Sequence, residues 1–190
     1  MKFVKAKLFG KQKGITLVET SIGLAIAAVI VGTAYAGFES NSRRNEVQTN
    51  SSLITEIISD AKKMFGQPGR YPALTTATAI SSRVIPDSLV TAGTALNSYG
   101  GEVAVEGDAA GAFARLEFPN VPQRQCMDLA MALGTSVQGM AVNNTAGAAP
   151  TLWGIKDNES GTSMDVTALQ TACDAAINGQ VTLHVTFPRG

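Results

Sequence analysis

The sequence contains a single histidine, His184, and only two cysteines, Cys126 and Cys173. A Ser-His-Asp triad needs a histidine held beside a nucleophile, and His184 lies within an alternating segment that has no nucleophile elbow before it. Structural zinc sites take four Cys or His ligands, one more than this chain has. We therefore expect no enzymatic activity, no cofactor and no metal site.

Basic side chains are scarce beyond the first 14 residues. Those residues contain five lysines and no acid, so the other 176 residues carry 10 basic and 15 acidic side chains. Such an acidic excess offers no cationic surface to a nucleic acid, which we exclude as a partner. A cationic segment directly before an apolar run is typical of the cytoplasmic flank of a membrane segment.

The segment 15–38 lacks proline and has one charged side chain, Glu19. As a helix with a rise of about 1.5 Å per residue it would be about 36 Å long, which is enough to cross a bilayer. Many of its residues are Gly, Ala or Ser, which allow membrane helices to approach one another closely. We predict a transmembrane helix here.

The helical pattern continues beyond the membrane-like segment. After the polar residues 39–46, apolar residues recur with the spacing of one buried helix face, namely Leu53, Ile54, Ile57, Ile58, Ala61, Met64 and Phe65. Gly66, Pro68 and Gly69 then favour a helix end. The sequence predicts one helix from Ile15 to Phe65 that is transmembrane first and amphipathic afterwards.

The remaining residues predict an α+β head. The patterns indicate strands at 103–105, 113–118 and 181–187, helices at 122–133 and from Asp165 to about Ile177, and surface loops at 75–98 and 141–163. His184 falls on the polar face of the last strand, where we expect it to be exposed or loosely packed. The predicted fold is a long N-terminal helix packed against an antiparallel β-sheet head with short helices and one disulfide.

Both cysteines follow the predicted membrane helix. If the N-terminus stays in the cytoplasm, Cys126 and Cys173 reach the oxidising side of the membrane, which favours a disulfide over two free thiols. Closing a loop of about 48 residues corresponds to a stabilisation on the order of 4 kcal/mol.

A short motif joins the basic segment to the helix. It reads Lys13-Gly14-Ile15-Thr16-Leu17-Val18-Glu19 and resembles the junction of type IV pilins. The resemblance implies cleavage between Gly14 and Ile15 by a prepilin peptidase and methylation of the new amino group of Ile15. Because glycine has no side chain, Gly14 would obstruct the approach of a protease to the adjacent peptide bond least. Because the small residue precedes the apolar run, cleavage would retain the anchor, unlike cleavage of a secretory signal peptide.

Glu19 is the unusual residue of the apolar segment. A carboxylate within a membrane helix costs about 3 kcal/mol unless it lies near the interface or is paired. Cleavage would create a positive amine at Ile15, one helical turn away. In a bundle of such helices Glu19 could neutralise a neighbour's amine and set the axial register of assembly. The alternative is an interfacial glutamate that merely tolerates its position.

Within the type IV pilins, the chain is most similar to the type IVb subclass, and especially to the PilS-type thin-pilus pilins of conjugative plasmids. Ile15 as first mature residue, the absence of proline from 15–38, the leader length and the segment QRQCMDLAMAL at Cys126 carry this resemblance. It implies a basic leader at 1–14, a polymerising helix at 15–66 and a globular head at 67–190.

The same resemblance implies partners and a location. The expected partners are other pilin subunits in a homopolymer, the prepilin peptidase and the pilus assembly machinery of the inner membrane. The prepilin would lie in the inner membrane with its head in the periplasm, and the assembled fibre would be extracellular, serving adhesion, aggregation or conjugative mating contact.

Two other functions remain open at this point. A type II secretion pseudopilin would share the leader and the chemistry of Glu19 but build a short piston. A single-pass membrane-anchored periplasmic receptor or enzyme would show no processing at Gly14 and no effect of changing Glu19.

Overall fold

The computed structural model describes residues 16–143, 155–156 and 163–188. Its α-helices are α1 (Leu17–Phe65), α2 (Thr76–Ser81), α3 (Gln123–Leu133) and α4 (Val166–Asp174), with short 3-10 helices at Tyr71–Ala73 and Asp87–Leu89. Its strands are β1 (Val90–Thr91), β2 (Thr94–Ala95), β3 (Ala104–Gly107), β4 (Phe113–Pro122), β5 (Gly139–Asn143) and β6 (Gln180–Pro188). The chain divides into two units between Ser42 and Arg43.

Helix α1 is continuous from Leu17 to Phe65, which confirms the prediction of one long helix. In the second unit its apolar stripe, with Ile54 and Ile57 fully buried, belongs to the same core as the sheet. The positive charges of Lys62 and Lys63 lie in the last turn of α1, where they interact favourably with the negative end of the helix dipole. The amphipathic half of α1 is thus held by apolar burial.

The head contains a four-stranded antiparallel sheet with the order β3-β4-β6-β5, as predicted for the fold class. Strands β4 and β6 form its centre, where Leu116 lies opposite Val185 and Phe118 opposite Leu183. These four side chains are buried on one face of the sheet, because residues directly opposite one another in antiparallel strands share a face.

The prediction of a surface loop at 75–98 is wrong. Thr75 caps α2 through a capping box with Thr78. Strands β1 and β2 form a separate hairpin, whose two connecting residues, Ala92 and Gly93, have φ angles of 51° and 85°. Positive φ at both residues is the geometry of a tight hairpin turn whose usual signal is Asn-Gly or Asp-Gly. Alanine in place of Asn or Asp hides that signal.

The prediction of a loop at 141–163 is wrong at its start, because residues 141–143 belong to β5. Residues 144–154 and 157–162 of that segment lie outside the described residues.

Both predicted head helices form. Helix α3 begins at Gln123 and is followed by Gly134, close to the expected bounds. The Asp165 side chain caps α4 by accepting hydrogen bonds from the backbone N–H groups of Thr167 and Ala168, at 2.9 and 3.0 Å. Helix α4 ends at Asp174, three residues before the expected end at Ile177. Ile177 instead pairs with Gln180, the first residue of β6.

His184 is buried, so the prediction of an exposed histidine is wrong. Its side chain has 0% exposure, and its neighbours on the same face of β6, Thr182 and Thr186, are also buried. Strand β6 lies inside the sheet between β4 and β5, with Glu117 and Ala141 opposite His184. The alternation of apolar and polar residues along β6 therefore predicted its two faces correctly, but both faces are buried.

Candidate assembly site

The predicted cleavage and methylation residues, Gly14 and Ile15, lie outside the described residues. The description of this junction begins at Thr16. Thr16 and Glu19 form a reciprocal cap at the start of α1: the Glu19 N–H donates to Thr16 Oγ1 at 3.3 Å, and the Thr16 N–H and hydroxyl donate to Glu19 Oε2 at 3.0 Å each. This capping box satisfies backbone donors at the helix terminus.

Glu19 therefore has two roles available to it. The hydrogen bonds from Thr16 go to Oε2, and a carboxylate has acceptor sites on both oxygens, so a cation could also be bound. We predicted Glu19 from its isolation in an apolar run but did not predict the part played by Thr16. The spacing Thr-x-x-Glu ahead of an apolar segment was the signal that could have indicated it.

The apolar part of α1 presents its side chains to the surroundings in the single chain. Leu17 is 87% exposed and Phe38 is 74% exposed, and the large apolar side chains between them are exposed as well. This is the one helix in the described part of the chain that is long and apolar enough to cross a membrane, with a mean hydropathy of 1.9 over its best 18 residues. An apolar surface of this extent is characteristic of contact with lipid or with other protein chains.

A disulfide links helices α3 and α4 of the head. Cys126 in α3 and Cys173 in α4 are bonded, with their Cα atoms 5.8 Å apart. Both residues are only 2% exposed. The predicted pairing is confirmed, and it ties together two helices that are distant in sequence.

Lys156 binds two backbone carbonyl groups just beyond the C-terminal end of α3. Its Nζ donates hydrogen bonds to the carbonyl oxygens of Gly134 and Val137, at 2.8 and 2.6 Å. Because Gly134 directly follows α3, the positive charge of Lys156 lies near the negative end of the helix dipole, where it is stabilising. Lys156 was not singled out from the sequence, because nothing in its local pattern indicates which helix it contacts.

Burial sets the electrostatics of His184. Burial, with a smaller contribution from the positive charge of Arg115, lowers the pKa of His184 to about 4. Arg115 itself pairs with Glu106 at 2.6 Å. Among residues 16–143, 155–156 and 163–188 no group of three or more His, Cys, Asp or Glu side chains could hold a metal ion.

Comparison with known proteins identifies the head. The family model described as "PilS N terminal" matches residues 44–187. The major structural subunits of bundle-forming pili from Escherichia coli O111:H- and from E. coli O127:H6 are each 26% identical over 183 residues, which is 93% of this chain and 93% of each relative.

Solved structures of pilins are also similar. TcpA, a type IV pilin of Vibrio cholerae El Tor, has 16% identity and a TM-score of 0.49, covering 73% of this chain and 98% of that one. The type IV b pilin of Salmonella typhi has 19% identity and a TM-score of 0.48, covering 77% and 99%. The family match itself extends over about three quarters of the 190 residues, from the second half of α1 to Phe187 in β6. The chain therefore belongs to the PilS family.

Proposed function

We propose that this chain is a structural subunit of a type IVb pilus and polymerises through the apolar part of α1. The observation that carries the proposal is the continuity of α1 from an exposed apolar surface with one carboxylate into a disulfide-closed head. The relatives named as major structural subunits of bundle-forming pili support the same role. In the fibre, neighbouring helices would cover the apolar surface that a single chain leaves exposed.

Maturation would proceed as the junction motif implies. A prepilin peptidase would cut between Gly14 and Ile15, removing the leader at 1–14, and the amino group of Ile15 would be methylated. The mature chain would consist of the helix at 15–66 and the head at 67–190. Assembly machinery of the inner membrane would then move it from that membrane, with its head in the periplasm, into an extracellular fibre for adhesion, aggregation or mating contact.

Glu19 would set the register of assembly. The new amine at Ile15 carries a positive charge, and the Glu19 carboxylate of an adjacent subunit is its complement. A stagger that left this carboxylate unpaired in the apolar fibre core would cost about 3 kcal/mol, which is about a hundredfold in the equilibrium. One stagger would therefore be preferred.

The test replaces Glu19 with Gln, which keeps an acceptor for the Thr16 cap but removes the charge. We expect Glu19→Gln to be inserted and processed normally, so that mass spectrometry shows a mature chain starting at Ile15. Electron micrographs should show at most about one tenth of the wild-type number of fibres. Glu56→Gln is the matched control, because Glu56 lies exposed on the head half of α1.

Two results would contradict the proposal. An intact leader, or cleavage beyond the apolar segment, would refute the maturation scheme. Normal fibres from Glu19→Gln would show that the charge does not set the register.

A further inference from the structure

A buried amide, the side chain of Gln125, joins α1 to the head. Gln125 is only 5% exposed. Its Nε2 donates a hydrogen bond to Glu46 Oε2 in α1 at 2.7 Å, and its Oε1 accepts one from the hydroxyl of Tyr99. The two ends of one amide thus connect α1, through α3, to the segment ahead of β3.

A second polar contact lies one helical turn further along α1. Asn50, 1% exposed, accepts a hydrogen bond on Oδ1 from the Ser98 hydroxyl at 3.0 Å. Residues 46 and 50 are four apart and therefore share a helix face. Both contacts reach the same short segment, residues 97–101.

That segment is held firmly by the buried side chain of Asn97. Its Oδ1 accepts from the N–H groups of Tyr99 and Gly101, at 3.0 and 2.8 Å, and its Nδ2 donates to the carbonyl of Pro119 in β4 at 2.6 Å. Gly101 packs so closely on Pro119 that an added Cβ would lie 2.6 Å from its carbonyl oxygen. Tyr99, the partner of Gln125, and Ser98, the partner of Asn50, are therefore fixed relative to the sheet.

The protonation states of Tyr99 and Glu46 determine which group donates and which accepts in each hydrogen bond. Burial, with the negative charge of Glu46, raises the pKa of Tyr99 to about 12, so the phenol remains a donor near neutral pH. The order is then Tyr99 hydroxyl to Gln125 carbonyl oxygen, and Gln125 amide to Glu46 carboxylate. Each group has the partner that its chemistry requires.

Apolar packing alone specifies the position of α1 less strictly. The buried stripe of Ile54, Ile57 or Ile58, and Ala61 repeats about once per turn, and a shift by one turn would place most of these apolar side chains against apolar side chains again. The same shift would leave Gln125 and Asn50 buried without their partners, at about 1 to 3 kcal/mol for each unsatisfied group. Polar pairs of this kind specify register in helical assemblies.

We propose that Gln125 is a positioning residue that sets the axial register of α1 in the head through Glu46 and Tyr99. The next residue, Cys126, ties α3 to α4 by the disulfide, so the position of Gln125 is itself braced. Resting on the proposed function, this contact would resist sliding of α1 through the head when the helix is pulled in a fibre.

The experiment exchanges the two groups. Gln125→Glu would set two carboxylates against each other across the 2.7 Å contact. Combining it with Glu46→Gln restores one amide and one carboxylate, and Tyr99 can still donate to residue 125. Gln123→Glu is the matched control, because it makes the same change two residues away at an exposed position of α3.

The measurement is hydrogen exchange of residues 43–65 in the full-length chain in detergent micelles. We expect Gln125→Glu to lower protection of these amides about tenfold or more, the exchanged pair to recover it to within about threefold, and the control to leave it unchanged. Equal protection in Gln125→Glu and wild type, or no recovery in the exchanged pair, would overturn the proposal.

If Gln125→Glu does not accumulate, the abundance of the exchanged pair decides: recovery supports the proposal and failure refutes it. Electron microscopy of cells with the wild-type chain tests the proposed function separately. An absence of fibres there would refute the proposed function as a pilus subunit. The hydrogen-exchange result would still decide whether Gln125 sets the register of α1.

Discussion

Acidification should weaken the head through His184. The side chain is fully buried, and its folded pKa is about 4 where an ordinary histidine has 6.5. A lowered pKa means that the unfolded chain binds a proton at a higher pH than the folded chain does. The free energy of unfolding is therefore greatest above about pH 6.5, falls as the pH drops through the window from 6.5 to 4, and levels off below it.

The magnitude follows from the two pKa values. The difference between 6.5 and about 4, at about 1.4 kcal/mol per pH unit, corresponds to about 3 kcal/mol. The neighbouring ionisable groups on β4 are Glu117, directly opposite His184, and Arg115, whose charge contributes to the lowered pKa. These residues are retained in a His184→Gln variant, which removes only the imidazole titration.

The assay is urea unfolding of wild type and His184→Gln, followed by circular dichroism at pH 7, 5 and 4 with the disulfide intact. We expect wild type to lose about 3 kcal/mol more than the variant between pH 7 and pH 4. The absolute stabilities need not agree, because the comparison uses only their pH dependence. Parallel losses in both proteins, or an NMR titration of His184 near pH 6.5, would refute the reasoning.

Two further changes test the head. Replacing Cys126 and Cys173 together with Ala should lower the free energy of unfolding by about 4 kcal/mol, since the bond closes a loop of about 48 residues; unchanged urea midpoints under oxidising conditions would contradict this, and wild type under reducing conditions is the control. Gly107→Ala should cost about 1 to 3 kcal/mol, because its Cβ would lie 1.7 Å from the carbonyl oxygen of Tyr71. Gly37→Ala, where a Cβ meets nothing within 4 Å, is the control, and equal melting temperatures for the two variants would contradict the packing argument.

Elements with strong local signals were predictable from the sequence. The apolar stripe extends over enough turns of α1 to identify its continuous course, and α3 and α4 carry a terminal glycine and a capping aspartate near their ends. The hairpin of β1 and β2 was missed because each strand has only two residues. Periodicity cannot be recognised over so short a length.

In the candidate site, too, only residues with a local sequence signal could be predicted. Glu19 is recognisable from its isolation, because a lone carboxylate in an apolar run requires an explanation. Thr16 was overlooked although its spacing to Glu19 is local. Gln125 has no local signal at all, since its partners Glu46 and Tyr99 lie 79 and 26 residues away in sequence.

The sequence by itself determined the order of the segments along the chain: a basic N-terminal segment, one apolar helix with one carboxylate, and a head with two cysteines. These features depend on composition and on spacing within a few turns. Only the tertiary structure decided that the polar face of β6 is covered and that Gln125 meets α1. Burial and hydrogen-bond partners arise from residues far apart in the chain, and no local pattern records which of them meet.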